Sequence, residues 1–327
     1  MTTAAPVDFS VVICAYADER WDDLTRALAS VRAQSLPPAE TIVVCDHNEP
    51  LRARTAEAFP WARVIANDGR QGLSDARNSG VQAAAGSVVA FLDDDAVAAP
   101  SWLATLRDAY GDPRVIGVGG AASPAWDTAR PRWFPEEFDW VVGCSYRGLP
   151  TRVAPVRNPL GCNMSFRREA FAVVGGFDTS VGRVGRVPVG GEETEFCIRL
   201  RHRMPDRWVL YHPAAEVRHR VREDRTTWRY FRARCYAEGV SKARVTALVG
   251  AASGLASERR HAALTLPLGL MRHLASVVRT PGSQGLLRAG SIVAGLTYTV
   301  AGYVVGRASV WRERRRHAQT RSIDPAR

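Results

Sequence analysis

The run Val88-Val89-Ala90-Phe91-Leu92, closed by Asp93-Asp94-Asp95, constrains this chain more than any other stretch. Five apolar residues without polar alternation are the pattern of a strand covered on both faces of a mostly parallel sheet. Three carboxylates then arrive together at its carboxyl end, where open α/β sheets gather their ligands. Like charges so close repel one another unless a cation offsets them, and a divalent metal is the natural neutraliser. The plainer alternative is a group of acids decorating a helix N-terminus, because a helical pattern starts at Pro100-Ser101-Trp102.

The preceding sequence supplies the rest of such a sheet. Phe9 to Ala15 is a first apolar strand, ending at Tyr16-Ala17-Asp18-Glu19-Arg20. Leu24, Leu28 and Val31 then recur at helical spacing until Pro37-Pro38 stops them. Thr41 to Cys45 is a second strand, with Asp46-His47-Asn48-Glu49-Pro50 as the loop at its carboxyl end. Arg63 to Ala66 is a third, followed by a helix over Leu73 to Ala85 that carries Ala76-Arg77-Asn78-Ser79-Gly80. This βαβ alternation collects polar loops on one rim and describes a nucleotide-binding α/β half over residues 1–120.

A second unit, residues 121–240, is less regular. A strand over Val115 to Gly120 leads into it, and Trp126, Trp133, Phe134, Phe138 and Trp140 then crowd a Pro-rich segment. Such a cluster is either a sugar or lipid platform or a satellite core beneath a long loop. After Arg157-Asn158 and Asn163, a helix from Arg168 ends at Gly175-Gly176-Phe177-Asp178, whose glycines suit a left-handed cap. Gly182 to Gly191 lacks helical period and is expected to be a flexible loop. Glu192, Glu193 and Glu195 then occupy the first turn of a helix, a bland start taken alone. Val209 to Tyr211 and Ala215 to Val221 read as two closing strands, the second carrying His219, which taken alone is a surface or core histidine. Beyond Thr226 the pattern is helical and basic, with Arg229, Arg232 and Arg234.

The net charge of +11, with pI near 9.9, favours an anionic partner such as a phosphorylated substrate or an acidic membrane surface. No zinc-finger or RNP motif accompanies it, so nucleic acid is not the expected partner. The six cysteines (Cys14, Cys45, Cys144, Cys162, Cys197, Cys235) stand singly without C-x-x-C spacing, which fits a reducing compartment. No basic stretch leading into an apolar one marks the N-terminus as a secretory signal.

Residues 241–327 read as a helical extension. Ala262 to Met271 is apolar until Arg272 and His273 interrupt it, and Gly290 to Gly306 is free of charge over about 17 residues, the lower limit for a membrane helix. Gly302-x-x-x-Gly306 suits helix packing, and Arg307, Arg312, Arg314, Arg315 and Arg316 follow it. A basic cluster beside an apolar helix favours an interfacial helix or short hairpin on an anionic cytoplasmic leaflet. The alternative is a helix packed on the domain before it.

In order, Tyr16 after the first strand, Asp46 after the second, Ala76-Arg77-Asn78-Ser79-Gly80, Phe91-Leu92-Asp93-Asp94-Asp95, Gly175-Gly176-Phe177-Asp178 and Gly-Gly-Glu-Glu-x-Glu-x-x-x-Arg-Leu make a series. Over roughly residues 8–240 it resembles the inverting family 2 glycosyltransferases of the GT-A fold, of an actinobacterial type with membrane-associating C-terminal helices. The first two loops depart from the family, reading Ala-Tyr-Ala-Asp-Glu-Arg where Thr-Tyr-Asn is usual and Asp-His-Asn where Asp-Asp-Gly-Ser is common.

The resemblance implies an α/β, Rossmann-like, mostly parallel sheet flanked by helices, with the helical C-terminal extension. It implies a nucleotide-diphosphate sugar donor, UDP-linked by preference, and a glycan or lipid-linked acceptor. It assigns Asp93 to the ribose or nucleotide, Asp95 to Mg²⁺ or Mn²⁺, and Asp46 and Arg77 to the border of the nucleobase. Tyr16, Glu19, Asp94, Asn163 and Glu195 complete the substrate-binding set. Glu193 falls on the family's catalytic aspartate as general base, with Glu192 or Glu195 as alternatives, and His219 falls where some relatives have a further metal ligand. A cation held by one or two carboxylates and substrate phosphates acts as Lewis acid on the leaving group. Two other functions compete: nucleotidyl transfer, which lacks a Gly-rich NTP loop near Tyr16, and a membrane-bound scaffold that binds nucleotide without chemistry.

Overall fold

A computed structural model describes residues 7–180, 190–250, 256–279 and 283–323. The strands β1 (Phe9–Ala15), β2 (Glu40–Cys45), β3 (Arg63–Ala66) and β4 (Val88–Asp93) lie parallel in the order β3-β2-β1-β4. The helices α1 (Trp21–Arg32), α2 (Glu49–Ala58) and α3 (Leu73–Ala83) make the crossovers. Successive β1 side chains enter different cores. Phe9, Val11 and Ile13 join Leu24, Leu28 and Trp102 on one face, while Val12 joins Val44, Phe91, Phe166 and Phe196 on the other. Burial on both sides is why these strands read as unbroken apolar runs.

Past β4 the sheet becomes mixed. The short β5 (Ala96–Ala98) and α4 (Trp102–Ala109) lead to β6 (Val115–Trp126), β7 (Ala154–Pro155) and β8 (Asn163–Arg167). Then come α5 (Arg168–Val174), α6 (Glu192–Arg203) and β9 (Trp208–Val221). The nine strands run β3-β2-β1-β4-β8-β6-β9-β5, with β7 on β9. β8 is antiparallel to both β4 and β6, and joins the two halves of the sheet. The divisions near residues 120 and 240 therefore fall within continuous elements, β6 and the helix that follows β9.

Several expectations need correction. The two closing strands are one, β9, whose pairing with β6 shifts register between Gly120 and Ala122, so the residues around Pro213 bulge without ending the strand. The β2 loop covers only residues 46–48, because the Asn48 side chain accepts from Leu51 N at 3.0 Å and caps α2. Gly175, at φ +80°, does end α5. The loop expected over Gly182 to Gly191 lies, for residues 181–189, outside the described residues.

The C-terminal third forms a helical layer of α7 (Trp228–Val249), α8 (Ala256–Arg260), α9 (Leu266–Arg279) and the 40-residue α10 (Gln284–Ile323). Its seat is the aromatic cluster. Phe134 and Phe138 are buried against Phe231, Leu266 and Ile292, with Trp126, Trp133 and Trp140 half-buried around them, so the cluster is a satellite core. A β-carbon on Gly302 would run into the Tyr236 carbonyl, and one on Gly239 into that of Thr299, so α7 and α10 cross with backbones nearly touching. Glu137 is fully buried and ties α9 to this seat, accepting from Arg272 Nη1 at 2.7 Å and lying 3.2 Å from His273 Nε2. The Gln284–Arg312 part of α10 is long and apolar enough to cross a membrane, and 33% of its most apolar window is buried.

Candidate active site

Strand register brings the first cluster of candidate residues together. β5 follows directly on Asp93-Asp94-Asp95 and pairs with β9 so that Ala96 lies opposite His219. His219 Nε2 thereby comes within 3.2 Å of Asp95 Oδ1. Gly143, at φ +81°, backs the imidazole so closely that a β-carbon there would press on its Cε1. Donor atoms of Asp93, Asp95 and His219 all lie within 4.8 Å of one another.

Charge around this corner is dense. Arg20 Nη1 donates to Asp94 Oδ1 at 2.6 Å and its Nη2 to Asp95 Oδ2, while Arg225 Nη2 stands 3.5 Å from the same Asp95 oxygen. Burial alone would raise the Asp95 carboxyl, but His219, Arg20 and Arg225 outweigh it and hold Asp95 well below the usual carboxylate range. His219 is displaced upward in turn, Asp95 overcoming the burial that opposes its charge. Asp94 moves the other way: burial, only partly offset by Arg20, raises it, and Asp95 and Asp93 add to the effect. Among the described residues, Asp94 Oδ2 is buried without a hydrogen-bond partner, as is Glu192 Oε2. Buried carboxylate oxygens left over in this way, beside two carboxylates and an imidazole, fit a divalent cation with its substrate ligands.

Arg77 joins this corner to the first turn of α6. Its Nη1 donates to Glu192 Oε1 at 2.7 Å, and its Nη2 stands 3.3 Å from Asp93 Oδ1 and donates to the Gly161 carbonyl at 3.0 Å. Gly191, at φ +111°, starts α6, so three glutamates meet the positive end of the helix. Their surroundings differ. Glu195 accepts from Arg199 on both oxygens, one of them at 2.8 Å. Glu193 has no ion pair among the described residues, and burial, then Glu192, push its carboxyl up to about 7 against the partial offset of Lys242.

Tyr16, Arg20, Asp46, Asp93, Asp94, Asp95 and His219 line one cleft. Asp46 is fixed at its edge, accepting from Asn67 Nδ2 at 2.6 Å and from Gly72 N at 2.9 Å. Four expected substrate contacts, Glu19, Arg77, Asn163 and Glu195, and the expected bases Glu192 and Glu193 lie outside that lining. Glu19 is exposed, and the 3-10 turn over Asp18–Arg20 sends Arg20 inward in its stead. Asn163 is fully buried as a brace, accepting from Trp102 Nε1 and donating to the carbonyls of Ala121 and Ala215, each at 2.8 Å. Reading by motif missed Arg20, Arg225 and Arg234, which also line the cleft. Their one signal is an arginine placed soon after β1 and others soon after His219, opposite an acidic rim.

Comparison with known proteins bears on the family and the fold. The model of "Glycosyl transferase family 2" matches residues 10–175. A glucosyl-dolichyl phosphate glucuronosyltransferase of Haloferax volcanii is 39% identical over 237 residues, 71% of this chain and 75% of the relative. The succinoglycan biosynthesis protein ExoM of Rhizobium meliloti is 25% identical over 72% of this chain and 74% of its own length. Among solved structures, the mannosyltransferase PcManGT of Pyrobaculum calidifontis, in complex with GDP-Man and Mn²⁺, superposes with a TM-score of 0.59 at 18% identity, over 94% of this chain and 87% of that one. That likeness bears on the fold, which is GT-A. Glycosyl transfer thus stands over nucleotidyl transfer and over the non-catalytic scaffold. With the family model covering half the chain and the Haloferax relative most of it, the chain belongs to glycosyl transferase family 2.

Proposed function

We propose that this enzyme moves a sugar from a nucleoside diphosphate, UDP-linked, to a hydroxyl of a polyisoprenoid-phosphate-linked glycan, by single displacement with inversion. The observation that carries the reading is the Arg77 bridge. One guanidinium touches Asp93 at 3.3 Å and Glu192 at 2.7 Å, so a charge-neutralising corner and a proton-accepting helix end share one wall of the fold.

Glu193 is the general base. A carboxyl near 7 matches proton abstraction at neutral pH, whereas Glu192 gives an oxygen to Arg77 and Glu195 gives both to Arg199. Its carboxylate takes the acceptor hydroxyl proton as that oxygen attacks the anomeric carbon, and the bond to the diphosphate breaks on the opposite face, which inverts the configuration. Asp93, Asp95 and His219 would hold Mn²⁺ or Mg²⁺, the imidazole favouring Mn²⁺, and the bound ion neutralises the departing diphosphate. Asp46 and Tyr16 border the nucleoside end of the cleft, and the second oxygen of Glu192 is available to a sugar hydroxyl.

The acceptor class rests on the Haloferax relative, whose name gives a dolichyl phosphate sugar, and on the helical layer. Leu264, Leu268, Met271 and Val278 recur on one exposed side of the segment running into α9, Val278 being 88% exposed. Leu286, Val293, Val300, Val304 and Trp311 do the same along α10. Arg259, Arg260, Arg307, Arg312 and Arg315 border these stripes. Apolar stripes with basic borders suit an interfacial seat on the anionic cytoplasmic face of the cell membrane.

The test is transfer from a panel of UDP-sugars, UDP-glucuronic acid first, to polyprenyl-phosphate-linked acceptors with Mn²⁺, reading product anomer and rate. Near-normal rates in both Asp95→Asn and Glu193→Gln, or retention of configuration, would sink the assignment. Failure of the full chain to sediment with anionic vesicles would remove the membrane seat.

A further inference from the structure

Two arginines stand where a dication would feel them most. Arg20 is 8% exposed and grips two neighbouring carboxylates at once, Asp94 Oδ1 at 2.6 Å and Asp95 Oδ2. Arg225, in the turn before α7, approaches the same Asp95 oxygen at 3.5 Å. One oxygen of Asp95 therefore meets His219 and the other meets two guanidinium groups. Guanidinium does not lose its proton in proteins, so both charges persist when a divalent cation reaches Asp93, Asp95 and His219. Repulsion between that cation and a guanidinium a few ångströms off is strong in a cleft shielded from water. Arg77 is placed differently: it also stands 3.3 Å from Asp93 Oδ1, but Glu192 Oε1 at 2.7 Å and the Gly161 carbonyl at 3.0 Å offset its charge from outside the metal group.

The conflict is resolved if an anion arrives with the cation. A diphosphate has the required charge, and its oxygens match the planar fork of arginine. Both arginines already line the cleft. We propose that Arg20 and Arg225 are ligands of the donor diphosphate, exchanging their hold on Asp94 and Asp95 for phosphate oxygens as the metal takes Asp95. The consequence is linkage: metal and diphosphate each tighten the binding of the other through these two side chains. The inference rests on reading Asp93, Asp95 and His219 as the metal site.

The experiment follows Mn²⁺ binding to the full chain by electron paramagnetic resonance, with and without UDP, and UDP binding by calorimetry. In the wild type, UDP tightens Mn²⁺ about tenfold or more, and uridine does not. Arg20→Gln binds Mn²⁺ alone several-fold more tightly, binds UDP about tenfold more weakly, and shows a smaller mutual enhancement. Arg225→Gln shifts in the same directions by less. Arg20→Lys keeps the charge on the two aspartates, so it retains the fold and carries the test if Arg20→Gln does not, with weakened UDP binding expected. Mn²⁺ and UDP affinities within twofold of wild type in these arginine variants overturn the proposal while leaving the metal site intact. A wild type that binds no Mn²⁺ even with UDP, or an Asp95→Asn that binds it equally well, overturns the metal reading and this inference with it.

Discussion

The corner at Asp93-Asp94-Asp95 and the first turn of α6 are both carboxylate clusters in the same fold, yet they are treated in opposite ways. At the corner, Arg20, Arg225 and His219 converge on Asp95 and keep it ionised. At α6, Arg77 and Arg199 attend Glu192 and Glu195, while Glu193 between them is half-buried and raised to about 7. The residue type is nearly the same and the environment sets the role. A saturated carboxylate is a fixed charge, suited to gripping a cation, whereas a half-protonated one can accept and release a proton.

The strongest test of this contrast removes one carboxylate from each cluster. Asp95→Asn and Glu193→Gln are each expected to lower kcat by about 10³-fold, within the range for a lost metal ligand or general base. Their signatures should differ. Asp95→Asn should also weaken Mn²⁺ binding, and Glu193→Gln should leave it near wild type, which direct Mn²⁺ titration reads. Identical metal defects in both would erase the distinction. Arg77→Lys should cost about 10- to 100-fold in kcat/KM, because one ammonium cannot hold Asp93 and Glu192 in the same geometry.

pH separates the two clusters next. A base must be ionised to act, so kcat/KM should rise with pH up to about 7 and then level off, and the profile of the residual activity should flatten in Glu193→Gln. Stability should run the other way. Between the ordinary glutamate value of 4.5 and about 7 the folded protein keeps a proton that the unfolded chain has lost, so stability falls as pH rises through that window. Glu193→Gln should reduce that slope, the raised Asp94 keeping its own share, and leave a variant of low activity that holds its melting temperature better at pH 8 than the wild type. Thermal melts at pH 5 and pH 8 measure it, and an unchanged slope would mean that Glu193 does not carry that proton.

How much of this could be read beforehand follows from the same physics. The β1, β2 and β4 strands were legible because both faces are buried and the runs Val11 to Ala15, Ile42 to Cys45 and Val88 to Leu92 carry no polar break. The helix α2 was not, since only Leu51 and Thr55 are buried in it and it lacks an apolar stripe. β8 was hidden because Asn163 and Ser165 give it polar residues, each satisfied inside the fold by partners remote in sequence. In the site, Asp95 and His219 were legible as types but not as neighbours, which depends on Ala96 pairing with His219. Arg20 was passed over for Glu19 because motif alignment carries no sign of which way a 3-10 turn points.

The mildest substitution is the sharpest check on environment, because it leaves the helix and the side-chain shape alone. Glu195 lies two residues from Glu193 on α6, and its carboxylate accepts from Arg199 at both oxygens. Arg199 in turn donates to the carbonyls of Val174 and Gly176, so the pair ties α6 to the end of α5. Glu195→Gln removes the charge but keeps the shape and one acceptor oxygen, leaving Arg199 partly solvated rather than buried alone. The expected cost is about 1 kcal/mol of stability, the scale of a part-buried ion pair, with kcat within about threefold of wild type. Chemical denaturation and initial rates measured on the same sample decide it. A collapse of kcat with an intact fold would make Glu195 the base after all, and would mean that a carboxylate held at both oxygens can serve as proton acceptor as well as one with no ion pair among the described residues.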